Sequence, residues 1–225
     1  TVDEVNVLES TLLSMKEALL NLKMKPTLLL VDGNMRQLSN IKQINVVKGD
    51  SKSQSIAAAS IVAKVTRDRM MCEYAKVFPG YGFETNMGYG TKSHLSALKN
   101  IYATPIHRKT FRPVSDYLPK FSEIKNIRLL SVQVAASELI KSNHKVISID
   151  FLNKKSYDFI TLKDQKFNVF VFSKLIDLDQ NKVIEQSNKT IYDKYDKKDM
   201  RLSIIICLTS VKFSSARSKV TYKYI

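Results

Sequence analysis

Residues 29–34 read LLVDGN, an apolar run that ends at Asp32 and is followed by a glycine turn. A second such place is VKGDSKS at 47–53, where Asp50 follows Gly49 after a shorter apolar run. Short apolar runs bounded by turn residues are typical of buried strands. Two neighbouring strand ends could therefore aim both carboxylates at one cation such as Mg²⁺. The alternative is an ordinary turn or cap, in which aspartate accepts backbone hydrogen bonds.

The surrounding pattern predicts an α/β sheet. Apolar residues recur at steps of three and four from Val5 to Leu22, which predicts a helix that ends before Pro26. Strands are predicted over 27–31 and 43–47, and a long helix over 53–76 with a small-residue face that could pack closely on the sheet. Asp50 lies at the predicted start of that helix, where it could also cap free N–H groups.

Residues 1–118 as a block resemble the C-terminal half of bacterial ribonuclease HII. The resemblance runs through seven ordered blocks: DEVNVL at 3–8, LVDGN at 30–34, VKGDSKS at 47–53, IAAASIVAKVTRD at 56–68, PGYGF at 79–83, GYGTKSH at 88–94 and PIHR at 105–108. It implies a partial ribonuclease H-like fold, and an endonuclease that hydrolyses the RNA strand of RNA/DNA hybrids. It also implies cleavage 5′ to ribonucleotides embedded in duplex DNA.

The resemblance assigns roles to the two aspartates. In the family, four acidic residues bind two Mg²⁺ or Mn²⁺ ions, and two of the four match Asp32 and Asp50. The other two family acids would lie upstream of Thr1. Two-metal hydrolysis needs the whole ligand set, so we expect the chain to be a partial sequence and inactive as it stands.

Three further residues are candidates for substrate binding. The tyrosine that matches Tyr89 packs beside the sugar at the RNA-to-DNA junction in the family; the alternative is a turn aromatic between two glycines. Lys48 and Lys52 flank Asp50 and could contact phosphates. Charged residues of this kind are otherwise the solvated face of the chain.

Composition changes sharply along the chain. All six glycines and five prolines lie at or before Pro119, which predicts one domain over 1–120 and a second α/β domain over 121–225. The second domain resembles the YraN-like family of restriction-endonuclease-fold proteins, with SVQVAA at 131–136, YDFI at 157–160 and FVFSK at 170–174.

The second resemblance implies a degenerate metal site. Asp158 and Lys174 match residues that position metal and water in such nucleases, but Phe172 and Gln133 stand where the fold has acids. An apolar ring cannot ligate a hard cation. We therefore expect a non-catalytic domain in which Asp158 is structural, or in which Asp158 and Lys174 are an ordinary exposed pair.

Charge and cysteine content limit the possible partners and the cellular location. The net charge of +15 is spread over both parts and favours an anionic partner such as nucleic acid. Cys72 and Cys207 form no motif and are interpreted as reduced residues of a cytoplasmic protein. We expect a monomer without a membrane partner. The competing interpretation is a non-catalytic module that holds RNA/DNA hybrids or DNA on its basic surface.

Overall fold

The computed structural model describes residues 2–119, 123, 126–152, 158–164, 166–172, 200–210 and 219–224. The chain divides into two compact units. The first comprises 1–69 and 107–118, and the second 70–106 and 119–225. The predicted boundary near Lys120 stays a prediction, because residues 70–106 group here with the later part of the chain. No helix within the described ranges is long and apolar enough to cross a bilayer.

The first unit begins with helix α1, Val2–Leu20, followed by strands β1, Leu28–Asp32, and β2, Lys42–Val46. The strands pair in parallel, with Leu30 opposite Ile44 and Asp32 opposite Val46. A 3₁₀ turn at Gly49–Ser51 then leads into helix α2, Gln54–Val77. Because the strands are parallel, their C-terminal ends meet at one edge of the sheet.

An apolar cluster joins α1 to one side of this sheet. Leu12, Leu29, Val31 and Leu38 are buried, and Met15, Leu19, Met35 and Ile41 pack against them. Burying a leucine or valine side chain contributes about 1.5–3 kcal/mol, so this cluster is the main support for the position of β1. Within α1, Asn6 has a φ of 72° and interrupts the helix; its Oδ1 accepts a hydrogen bond from the Glu9 N–H.

The second unit combines helices with a five-stranded sheet. The helices are the C-terminal part of α2, α3 at Phe83–Asn86, α4 at Lys92–Ile101 and α5 at Ile127–Lys141. The strands are β3 Lys145–Ile149, β4 Phe159–Lys163, β5 Lys166–Phe172, β6 Met200–Ser210 and β7 Lys219–Tyr224, in the spatial order of the chain. Only the β5–β6 pair is parallel among the described strand pairs.

The end of α2 is tied to α5 and β3. Gln133 on α5 donates from Nε2 to the carbonyl oxygen of Val77 at 2.9 Å. Glu73 accepts from the Val146 N–H at 2.6 Å. Around these links, Val132, Ala135, Ala136, Leu139 and Phe159 are buried. Gln133, predicted to replace a metal-binding acid, thus satisfies an orphan carbonyl at a helix end.

Of the elements predicted above, β1, β2 and α2 are confirmed to within one residue at each end, and α1 begins three residues and ends two residues before the predicted bounds. Two expectations about α2 are wrong. Asp50 does not begin the helix, because a separate 3₁₀ turn precedes Gln54. The small-residue face does not pack closely on the sheet, since Ala58 and Ala59 are exposed. The charged stretch predicted over 182–198 lies outside the described residues.

Candidate active site

Asp32 is joined to the turn that carries Asp50. Its Oδ1 accepts a hydrogen bond from the Gly49 N–H at 2.7 Å. Gly49 is buried, and a Cβ built on it would lie 2.6 Å from Ile56 Cδ1 and 3.2 Å from Asp32 Oδ1. A larger residue at position 49 would have to displace the Ile56 side chain, so the glycine lets the turn lie this close to Asp32 and to α2. The two predicted carboxylates are therefore brought to one edge of the parallel pair.

Asp50 presents an exposed carboxylate beside this link. Its Oδ1 accepts from the Ser51 N–H at 2.9 Å, so the side chain is bonded within the 3₁₀ turn that contains it and not to the long helix. A further hydrogen bond closes the turn, in which the Gly49 carbonyl accepts from the Ser53 N–H at 2.8 Å. These bonds fix the backbone of Asp50 while the carboxylate stays at the surface.

Lys48 and Lys52 lie on either side of Asp50 and are both exposed. Lys48 has φ 55° and ψ 48°, the left-handed conformation that side chains other than glycine and asparagine rarely adopt. Its carbonyl accepts from the Ser51 hydroxyl at 2.9 Å, which helps to hold this strained geometry. Strained backbone of this kind is concentrated at functional sites. Both residues carry a positive charge close to Asp50 in the chain.

The two carboxylates are the type of donor that a divalent cation takes. Magnesium in proteins is commonly bound by one or two carboxylates while it keeps several waters, and the exposed Asp32 and Asp50 match that donor type. Within the described residues, no group of three or more histidine, cysteine, aspartate or glutamate side chains could hold a metal. The residues present thus fit a hydrated divalent cation with two protein ligands.

Tyr89 lies in the second unit, whereas Asp32 and Asp50 lie in the first. Its side chain is 62% exposed, while its backbone is held firmly. The Tyr89 carbonyl lies 2.9 Å from His94 Nδ1, and the Tyr89 N–H donates to the Asn86 carbonyl at 2.8 Å. Asn86 Oδ1 also accepts from the Gly88 N–H at 2.8 Å. The loop therefore presents an aromatic ring on a rigid backbone.

Buried aromatic side chains support the loop that carries Tyr89. Tyr81 and Phe83 stack with ring centroids 5.3 Å apart, and His94 meets Phe83 edge-on at 5.4 Å. Burial raises the pKa of the Tyr81 hydroxyl to about 12, and this hydroxyl lies 2.6 Å from the Tyr102 carbonyl oxygen, to which it donates. The supporting roles of His94 and Asn86 escaped the sequence reasoning, although both belong to or border the glycine-rich block.

The predicted second site differs from the expectation at Asp158. Asp158 is only 2% exposed, so the interpretation as part of an ordinary exposed pair is wrong. It directly precedes β4, and its carbonyl accepts from the N–H of Asp150, which is itself buried. Because β3 and β4 pair in an antiparallel arrangement, the two buried residues lie next to each other. Lys174 lies outside the described residues, and of Phe172 only the strand backbone is described.

Asp3 is a structural carboxylate that sequence reasoning did not identify. It accepts hydrogen bonds from the Lys109 N–H at 3.0 Å, the Thr110 N–H at 2.9 Å and the Thr110 hydroxyl at 2.8 Å. Desolvation alone would raise the pKa of Asp3, but the bonds from Thr110 and Lys109 outweigh it and lower the pKa below its usual value. Asp3 thereby fastens the 107–118 segment to the start of α1.

Known proteins resemble the part of the chain that contains Asp32, Asp50 and Tyr89. The family model described as ribonuclease HII matches residues 1–114. The ribonuclease HII of Ligilactobacillus salivarius (strain UCC118) is 54% identical over 119 residues, which are 53% of this chain and 46% of that protein.

Two further relatives give the same picture. The ribonuclease HII of Pelagibacter ubique (strain HTCC1062) is 52% identical over 118 residues, covering 52% of this chain and 63% of that protein. That of Roseobacter denitrificans (strain ATCC 33942 / OCh 114) is 46% identical over 125 residues, covering 55% and 63%. The chain spans about half the length of the curated relatives it matches.

Proposed function

This chain belongs to the ribonuclease HII family, and from that premise we propose that it acts in an endonuclease on RNA/DNA hybrids. The reaction is hydrolysis of the RNA strand, including cleavage 5′ to a ribonucleotide embedded in duplex DNA. The observation that carries the proposal is the 2.7 Å hydrogen bond from the Gly49 N–H to Asp32 Oδ1. That bond brings the two matched carboxylates to one edge of the sheet, in the part of the chain that the family model covers.

Asp32 and Asp50 are the proposed metal ligands and catalytic residues. A bound Mg²⁺ or Mn²⁺ would supply an activated water and neutralise charge on the phosphate. Asp32 is oriented by Gly49 and Asp50 by the Ser51 N–H, so each keeps one oxygen engaged with the backbone and points the carboxylate from a fixed position. Preorganisation of this kind avoids the cost of ordering the ligands when a cation binds.

Lys48, Lys52 and Tyr89 are the proposed substrate contacts. The two lysines are exposed on either side of Asp50 and could bind phosphates of the strand to be cleaved. The exposed ring of Tyr89 is large and rigidly mounted on the Asn86–His94 loop, which suits stacking on a sugar or base. The proposed substrates also imply a cytoplasmic location, where a bacterium keeps its DNA.

The chain after Lys120 is proposed to be a separate domain of YraN-like type without catalytic activity. The order of α5 followed by β3, β4 and β5 supports this proposal. The burial of Asp158 and the bond of Gln133 to the Val77 carbonyl also support it, because both polar residues serve the packing of the unit. We propose that the protein is a monomer in which this domain adds basic surface.

A second candidate function is nucleic-acid binding without cleavage. The excess of positive charge, +15 over 225 residues, favours it, because phosphate contacts alone give salt-dependent affinity. In this alternative, Lys48, Lys52 and Tyr89 keep their proposed contacts. Only the role of Asp32 and Asp50 differs, since these residues would then serve the local turn.

The test is cleavage of a labelled duplex that carries one ribonucleotide, with Mg²⁺ or Mn²⁺ and with EDTA as the control. The 225-residue chain is compared with a version extended upstream in its source genome. Metal-dependent cleavage 5′ to the ribonucleotide by either protein supports the proposal. Salt-sensitive binding without cleavage by both proteins would favour the binding function instead.

A further inference from the structure

A cavity of about 400 Å³ lies beside helix α1 in the first unit. Its walls include the apolar side chains of Val7, Met15 and Ala18, and Arg108 lines it from the later segment of the same unit. No acidic side chain is among the described residues that line it. Cavities of about 300–1,000 Å³ with apolar walls and a few polar groups are typical of small-molecule sites. We call this space the α1 cavity.

A buried hydroxyl in the lining of the α1 cavity lacks a hydrogen-bond partner. Ser10 lines the cavity and is 8% exposed, and its Oγ has no partner among the residues that the structure describes. Further along the helix, the Thr11 and Ser14 hydroxyls each donate at 2.8 Å to the carbonyl four residues earlier. Ser10 does not make this bond, because Asn6 has φ 72° and ψ 173° and its carbonyl does not point along the helix. An unbonded buried hydroxyl is unfavourable, so Ser10 is available to a polar group in the cavity.

Arg108 supplies a positive charge whose backbone is fixed beside the α1 cavity. The two residues that follow it, Lys109 and Thr110, donate their N–H groups to the Asp3 carboxylate at 3.0 and 2.9 Å. These bonds occupy Asp3 and hold the segment at the start of α1. Arg108 itself is exposed, and none of the ion pairs between described residues includes its guanidinium. A free guanidinium presents a planar fork of donors that matches a carboxylate or a phosphate.

We propose that the α1 cavity binds a small organic anion with an apolar body. Its charged group pairs with Arg108, and its apolar part lies against Val7, Met15 and Ala18. An oxygen of the bound molecule would give the Ser10 hydroxyl the acceptor that it lacks within the helix. Carboxylate and phosphate groups share this chemistry, because both accept paired hydrogen bonds from a guanidinium. The inference goes beyond the proposed nuclease function and uses none of its residues.

The experiment titrates the 225-residue chain with octanoate, octyl phosphate and 1-octanol in a calorimeter, each below the concentration at which it forms micelles or separates. The three probes share one apolar tail, so they differ only in the group offered to Arg108. We expect the anions to bind in competition with each other, and 1-octanol to bind at least about tenfold more weakly, because it makes no charge-assisted bond. The tighter of the two anions identifies the preferred charged group.

Two substitutions test the α1 cavity independently. Arg108→Gln should weaken binding of the preferred anion by at least about tenfold, because it removes the charged partner. Ala18→Phe should weaken it to a similar extent by filling the cavity while Arg108 is kept, and Ala18 is exposed, so the larger side chain does not disturb the core. Lys16→Gln is the matched control, since Lys16 is exposed on the same helix, is not among the lining residues and loses the same charge. Its affinity should not change.

Far-UV circular dichroism checks that each variant is folded. The inference is overturned if neither anion binds, if 1-octanol binds as tightly as the anions, or if Arg108→Gln or Ala18→Phe leaves the affinity unchanged. A loss of affinity in Lys16→Gln equal to that in Arg108→Gln would also overturn it, because the anions would then respond only to the overall charge of the surface. None of these measurements depends on cleavage, so failure of the proposed nuclease activity would leave the inference standing.

Discussion

Asp32 and Asp158 show how two aspartates beside strands come to differ. Asp32 ends β1 and is exposed, and the parallel neighbour β2 brings the Gly49 turn to it. Asp158 precedes β4 and is 2% exposed, and Asp150, which directly follows the antiparallel neighbour β3, donates its N–H to the Asp158 carbonyl. A parallel pair collects its C-terminal ends at one edge, where carboxylates can meet a cation. The β3–β4 pair here encloses its acids, so strand direction and burial separate a candidate ligand from a packing residue.

The largest expected effect concerns Asp50. In an active preparation, whether the chain alone or an extended version, Asp50→Asn should lower the cleavage rate by more than about a hundredfold, because an amide is a poor ligand for a divalent cation. Duplex binding should stay within about twofold, since Lys48 and Lys52 remain. Cleavage of a single-ribonucleotide duplex and a salt-dependent binding assay measure the two quantities.

Asp158→Asn in the same preparation is the control, and its cleavage rate should match that of the parent protein. If both substitutions abolished cleavage equally, the contrast between the two aspartates would be lost. If Asp50→Asn instead abolished binding, Asp50 would be a structural residue of its turn.

For stability we expect the opposite order, in which a substitution of Asp158 costs more than a substitution of Asp32. Asp158→Ala should lower the free energy of unfolding by about 1–3 kcal/mol, because it removes a side chain that is 2% exposed and leaves a cavity in the packed unit. Asp32→Ala should cost less than about 1 kcal/mol, since Asp32 is exposed and water can replace it at the Gly49 N–H. Urea unfolding followed by circular dichroism gives both values. Equal losses would show that exposure does not separate these residues.

The contact at Gly49 gives the next prediction. Gly49→Ala should destabilise the first unit by about 1–2 kcal/mol and weaken metal binding, because the new methyl group would meet Ile56 Cδ1 at 2.6 Å and press on Asp32 Oδ1 at 3.2 Å. Gly90→Ala is the matched control, since a Cβ there meets nothing within 4 Å. Thermal unfolding and Mn²⁺ titration provide the measurements.

Adding Ile56→Val to Gly49→Ala tests the cause, because valine lacks the Cδ1 atom that the new methyl group would meet. The double variant should be more stable than the sum of the single effects predicts. Strict additivity would show that the close approach at Gly49 is relieved in some other way.

Local periodicity was enough to predict α1, α2, β1 and β2, because apolar spacing such as that of Val5–Leu22 and 27–31 reflects which side faces the core, but it did not predict α3 and α4. It could not reveal the bond between Asp32 and Gly49, which joins positions 17 apart. The same limit applies to Asp158, whose burial depends on how β3 folds back, and to Asp3, which bonds to Thr110 across most of the first unit. The match of Asp32 and Asp50 to a family motif pointed to the site, but distances and exposure needed the tertiary structure.

The smallest expected effect is a difference between the two units in how their stability depends on pH. Desolvation and the nearby Lys163 lower the pKa of His144 from 6.5, and Asp164 opposes this only in part. The folded state therefore favours neutral His144, whose Nδ1 lies 2.8 Å from the Thr161 hydroxyl. Because the unfolded state binds the proton more readily, the second unit should lose stability as the pH falls below 6.5.

In the first unit, Asp3 is the group with a shifted pKa, and it titrates at a lower pH than His144. The folded pKa of Asp3 lies below 3.8, so its contribution is present above that pH and is lost as the pH falls below it. His144→Gln should flatten the stability profile between about pH 7 and 5 while leaving the acid limb unchanged, and Asp3→Asn should do the reverse. Urea unfolding at closely spaced pH values measures both profiles. If His144→Gln left the profile between about pH 7 and 5 unchanged, or if Asp3→Asn left the acid limb unchanged, the contribution assigned to that group would be contradicted.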